Sequence, residues 1–152
     1  MKILFLGDVV GKAGRELALK ELPALKEKMA LDFIVVNAEN AAHGFGLTPK
    51  MFDAFKRAGA NVITMGNHTF DKKDIFPILT DNPDIIRPAN YPEGTIGQGS
   101  TIYTLPDGRK IGVIQVLGQT FMPKNEAPFK FLDQFYQNEF LFCTYDIQPL
   151  IL

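Results

Sequence analysis

Cysteine is almost absent from this chain. Cys143 is the only one in 152 residues, so no disulfide can form within it. A lone thiol fits a reducing compartment, and the cytoplasm is the expected location. Excess charge of either sign is also missing. Lys and Arg number 16 against 17 Asp and Glu, so bulk charge marks neither a nucleic-acid nor a membrane surface. No apolar run approaches the roughly 18 residues of a spanning helix. The stretch Ile3 to Leu6 meets Asp8 too soon for a signal-peptide core, so no membrane partner is expected. Repeats, linkers and low-complexity segments are lacking too. What remains is an ordinary globular composition, long enough for one domain over 1–152 with a real core.

The apolar runs alternate with helical patterns. Strands are expected at 2–7, 32–37 and 61–65, with a shorter one at 84–86. Helical spacing of Leu17, Leu22, Leu25 and Met29 predicts a helix over about 12–29, either kinked or restarted at Pro23. Thr48-Pro49 predicts a second helix start, hydroxyl cap then proline, running to about Gly59. Asp71 is a candidate N-cap for a third helix through Leu79. This βαβαβα order favours a parallel sheet. Two later runs, 101–105 and 110–117, flank Pro106-Asp107-Gly108-Arg109, a hairpin turn, so the sheet is expected to be mixed. Residues 128–137 look helical. The apolar end, 138–152, reads as an atypical tail: either an edge strand with a docked end, or residues foreign to the fold.

Polar clusters stand where the strands should end. Gly7-Asp8-Val9-Val10-Gly11, Asn37-Ala38-Glu39-Asn40 and Gly66-Asn67-His68-Thr69 each follow an apolar run, and Arg87-Pro88-Ala89-Asn90 follows the short fourth strand. In an open α/β sheet ligands bind beyond the carboxyl ends of the strands. Asp8, Glu39, Asn40, Asn67 and His68 should therefore meet at one edge, in outline a metal or phosphate site. A carboxylate such as Glu39 can bridge two cations, Asn67 offers a neutral oxygen, and His68 can act as a general acid. Asp8 could equally cap the following helix. Arg87 could grip a phosphate in a bidentate pair or serve a structural ion pair, and Asn90 could face the site or shape a turn. His43 lies in the glycine-rich loop 42–46 and reads as an exposed loop residue. Gly7, Gly11 and Gly14 do not make a Walker loop: the spacing is short and Ala13 replaces the magnesium-binding hydroxyl.

Together these segments, with Tyr91-Pro92 extending the last one, resemble the calcineurin-like metallophosphoesterase superfamily. They are most similar to its bacterial 2′,3′-cyclic-nucleotide 2′-phosphodiesterase-like branch, over about 1–130. That branch has Asp8-Val9-Val10 where the wider superfamily has Asp-x-His, and Glu39 in place of a bridging aspartate. The resemblance implies an α/β sandwich with mixed sheets flanked by helices, incomplete in its second half. It implies metal-dependent hydrolysis of a small phosphodiester, RNA-derived or a cyclic nucleotide, with 2′,3′-cyclic NMP giving 3′-NMP. It implies a dinuclear centre of divalent or mixed-valence ions (iron, manganese or magnesium). Asp8, Glu39, Asn40 and Asn67 would be metal ligands, His68 the catalytic acid, and Arg87 and Asn90 substrate-binding residues.

The family completes that centre with histidines from its second half, and no histidine follows His68 here. The expectation is a chain cut short or frame-shifted, with open coordination positions and weakened metal affinity. The uncovered sheet edge invites homo-oligomers. The competing expectation is an impaired fragment that only self-associates or binds phosphate.

Overall fold

The computed structural model describes residues 1–122 and 124–139. Of the expected tail, 140–152 lies outside the described residues. Four strands run in parallel in the order β1 (Ile3–Leu6), β2 (Phe33–Asn37), β3 (Val62–Thr64) and β4 (Ile85–Ile86). Ile3 pairs with Phe33, Val35 with Val62 and Ile63 with Ile85. Helices α1 (Gly11–Met29), α2 (Pro49–Arg57) and α3 (Phe76–Asp81) fill the crossovers.

When consecutive strands are also neighbours, successive crossovers of one hand stack on one face. The packing shows this result. Residues 34 and 36 of β2, Ile63 and Ile85 point into a core with Ala18, Leu22, Phe52, Phe55, Ile75 and Leu79 from the helices. The alternate residues Phe33, Val35, Val62 and Ile86 need a second cover. It comes from a hairpin of β5 (Ser100–Thr104) and β6 (Lys110–Ile114), through Leu105, Ile111 and Val113. Phe33 and Tyr103 stack edge-to-face across this second core, ring centroids 5.2 Å apart.

The α/β sandwich expected from the sequence is therefore present, with one refinement. Among the described residues the hairpin does not join the parallel ladder to make one mixed sheet. It forms an antiparallel sheet of its own, Ser100 opposite Ile114. Hydrogen bonds from Arg87 N to Gln98 O (2.8 Å) and Ala89 N to Gln115 O (2.7 Å) tie it to the end of β4.

Local chemistry explains the element ends. Thr48 Oγ1 accepts from Met51 N (3.4 Å) and Pro49 opens α2, as a hydroxyl cap with proline at the first position should. Helix α1 runs through Pro23 without restarting and ends on Ala30 in the left-handed conformation (φ 49°). Asp71 does not cap α3. A 3-10 turn (Lys73–Ile75) intervenes, and the Asp71 carboxylate is occupied by His68. A last helix, α4, spans Pro128–Glu139.

Candidate active site

The carboxyl ends of β1, β2 and β3 carry the predicted cluster, and backbone bonds stitch the ends together. Val9 N donates to Asn37 O (3.1 Å), Gly11 N to Asn40 O (2.9 Å) and Ala38 N to Thr64 O (3.1 Å). Asp8 is exposed at the first strand end, and Asn40 Nδ2 donates to its Oδ2 at 2.6 Å. This bond leaves Asn40 Oδ1 as a free acceptor among the described residues.

Glu39 is held between the second and third ends. Its carboxylate accepts weakly from Asn37 Nδ2 (3.5 Å) and His68 N (3.4 Å). It lies directly on the Cα of Gly66, where an added Cβ would overlap both carboxylate oxygens. The glycine of Gly66-Asn67-His68 is thus required by the close approach of an acid. Asn67, on the same turn, makes no side-chain hydrogen bond among the described residues. Thr69 secures the turn: Thr69 Oγ1 donates to Gly66 O at 2.6 Å and Thr69 N to the same carbonyl at 3.2 Å.

His68 has one nitrogen fixed. Its Nδ1 stands 2.7 Å from Asp71 Oδ2. With that carboxylate ionised, Nδ1 carries the hydrogen and Nε2 is left to exchange a proton with a substrate. The reading of Asp71 as a helix cap missed this contact. The detectable signal was its place three residues after His68.

Tyr91 was also missed. Its hydroxyl donates to Gly66 O (3.3 Å). Burial, and after it the negative charges of Glu39 and Asp71, push its phenol above the usual range.

Arg87 and Asn90 stand apart from this cluster in their bonding. Arg87 donates through Nη1 to Pro88 O (2.7 Å) and Ala89 O (3.4 Å), and through Nη2 to Thr95 O (3.1 Å). Burial lowers its pKa. Asn90 is fully buried; Nδ2 donates to Leu117 O and Glu126 O (both 2.7 Å), and Oδ1 accepts from Leu117 N (2.8 Å). Through these main-chain bonds both residues brace the 87–95 and 117–126 loops, and Arg87 Nε is buried without a partner among the described residues. His43 is exposed, as expected.

The donor chemistry suits a hard cation: two carboxylates with no ion-pair partner among the described residues, plus amide oxygens. The count is small. Among the described residues no three of His, Cys, Asp and Glu stand together as metal ligands. Asp8 and Glu39 would supply only the acidic donors of such a site.

The comparisons with known proteins agree with this architecture. The family model of the YmdB-like proteins matches residues 4–146. The chain belongs to that family. The matched stretch runs past the 1–130 over which the resemblance was expected. Among YmdB-like relatives, the 2′,3′-cyclic-nucleotide 2′-phosphodiesterase of Bacillus subtilis is 48% identical over 134 residues, 88% of this chain and 50% of that protein. A putative phosphatase/phosphodiesterase of Mycoplasma pneumoniae is 40% identical over 141 residues, again 88% of this chain and 50% of the relative. A hypothetical protein from Thermus thermophilus superposes with a TM-score of 0.84 at 33% identity, covering 91% of this chain and 54% of the other. A novel phosphatase from Mycoplasma pneumoniae gives 0.83 at 39% identity, with coverages of 91% and 51%. The chain spans about half the length of the curated relatives it matches.

Proposed function

We propose that the edge formed by Asp8, Glu39, Asn40, Asn67 and His68 is a metal-dependent phosphodiesterase centre for cyclic nucleotides, opening 2′,3′-cyclic NMP to 3′-NMP. One observation carries this reading. Two carboxylates without cationic partners stand at neighbouring strand ends, Glu39 accepting from the backbone N–H of a histidine whose Nδ1 is held by Asp71, in a chain 48% identical to a 2′,3′-cyclic-nucleotide 2′-phosphodiesterase.

Asp8, Glu39, Asn40 and Asn67 would hold the cations. Iron, manganese or magnesium would fit their oxygen-rich chemistry, as a pair of divalent or mixed-valence ions. Bound divalent ions supply water deprotonated near neutral pH and offset charge on the phosphoryl oxygens. The chain's own residues do the rest. Asn40 orients Asp8 through the 2.6 Å bond. Gly66 lets Glu39 reach the third strand end. His68, turned by Asp71, presents Nε2 to the 2′ oxygen. As water oxygen bonds to phosphorus and the P–O2′ bond breaks, the imidazolium form of His68 gives up its Nε2 proton to complete the 2′ hydroxyl and keeps the hydrogen on Nδ1. The 3′ oxygen keeps the phosphate.

The shortage of acid and imidazole donors among the described residues favours a second reading, a phosphate-binding or self-associating module without turnover. One assay separates them: purified chain, manganese and 2′,3′-cyclic AMP, with 3′-AMP as the readout. The first reading predicts product from the wild type and none from His68→Ala. Folded protein with no product overturns it in favour of the second.

A further inference from the structure

The loop after β2 is built to hold one side chain outward. Ala42 and Leu47 are buried at its ends, and between them Phe45 is 56% exposed. Ala42 N donates to Gly46 O (2.9 Å), Gly44 N to Asn40 O (2.9 Å) and Gly46 N to Glu39 O (2.6 Å), so the loop is closed on itself and on Glu39. Gly44 and Gly46 take left-handed φ values of 86° and 79°, and His43 between them and the strand takes 59°. A chain pinned in this way has few alternative paths that would tuck the ring inside.

Single exposed apolar residues are common and need no explanation. This one differs in its place. The Phe45 ring packs perpendicular to the imidazole of His68, centroids 5.1 Å apart, and more than half of its surface remains in water. In a 2′,3′-cyclic nucleotide the base hangs from the carbon next to the one bearing the 2′ oxygen. A substrate that offers its 2′ oxygen to His68 therefore brings its base beside the imidazole. Phe45 is the exposed ring at that position, and every nucleobase has a π face that stacks on an aromatic side chain.

We infer that Phe45 is the platform for the substrate's nucleobase, so that the site selects phosphodiesters and phosphomonoesters carrying a base over those carrying the sugar alone. This rests on the phosphodiesterase reading and adds its recognition element. Stacking tolerates any base, so purine and pyrimidine nucleotides should bind alike to within the difference in their stacking strength.

The test avoids turnover by using the product. NMR titrations with 3′-AMP and with 1-O-methylribose 3-phosphate, in the presence of manganese, compare the wild type with Phe45→Ala, Phe45→Leu and Phe45→Tyr. The ring lies on the surface, so the variants should melt with the wild type. The wild type should prefer 3′-AMP. Phe45→Ala and Phe45→Leu should lose roughly 5- to 150-fold in affinity for it, the range of one lost base–aromatic stack, and nothing for the sugar phosphate. Phe45→Tyr should keep the preference. Equal effects on both compounds, or none on either, overturn the inference alone. A wild-type chain that binds neither compound overturns the phosphodiesterase reading and the inference with it.

Discussion

Replacing Gly66 by alanine separates the site from the scaffold. The new Cβ would overlap the Glu39 carboxylate, while the backbone at 66 is not in the left-handed region that demands glycine. Relief requires the carboxylate to retreat by about 1 Å to reach ordinary van der Waals distance. It is the free end of a side chain, held by two long hydrogen bonds of 3.4 and 3.5 Å, so it can retreat. Their loss costs about 1 kcal/mol at most. Removing a glycine's freedom from the unfolded chain returns about 0.4–1 kcal/mol. Stability should therefore change by less than about 1 kcal/mol, while manganese affinity falls by about 10- to 100-fold, the usual penalty for a misplaced metal-site group. Gly99→Ala is the contrasting control. Its Cβ would strike Ala89 Cα, which is main chain and cannot swing away. It should cost about 1–3 kcal/mol by overpacking. Urea unfolding and isothermal titration with manganese measure both quantities. A Gly66→Ala protein that binds manganese like the wild type refutes the reasoning. So does one as destabilised as Gly99→Ala.

Three further outcomes are expected. Asn90→Ala leaves the buried Leu117 carbonyl and N–H, and the less buried Glu126 carbonyl, without their partner, so stability in urea should fall by about 1–3 kcal/mol; a variant that keeps full stability and loses only ligand affinity would mark Asn90 as a binding residue. Asp71→Asn should reduce kcat/KM by between roughly tenfold and the full 10²- to 10⁴-fold contribution of a general acid, with melting unchanged; full activity would show that Asp71 does not orient His68. Asp32 is held below the usual carboxylate range by the Lys2 N–H and then by Arg109, and Asp107 by Arg109. Both folded values lie below the unfolded ones, so their contribution is present above about pH 4 and is lost as pH falls through the folded values. Urea midpoints from pH 6 to 3 should drop less steeply in Arg109→Met, and an equal slope would count against these pairs.

The strands and their polar ends were legible because burial leaves a direct mark: Phe33 to Val36 is an uninterrupted apolar run because both faces of β2 are covered. Everything at the site that depends on strand-end position followed from that pattern, including Asp8, Glu39 and the Asn67-His68 turn. What failed to show was what a side chain does once the loops close. Asp71 sits where a helix cap belongs, yet a 3-10 turn delays the helix and frees the carboxylate for His68. Arg87 and Asn90 carry groups suited to a phosphate, but their partners are main-chain groups up to 36 positions away in the chain. Local spacing holds no record of such partners. The hairpin likewise appeared as strands, while its role as a second layer depends on a one-faced helix arrangement that only the strand order reveals.

The phosphodiesterase reading stands on the strand-end carboxylates forming a metal site. Isothermal titration of manganese into the wild-type chain and into Asp8→Asn and Glu39→Gln tests it most directly, with circular dichroism confirming that all three are folded. The wild type should bind manganese saturably, and either substitution should weaken binding by at least about tenfold. Isotherms unchanged by both substitutions would contradict it.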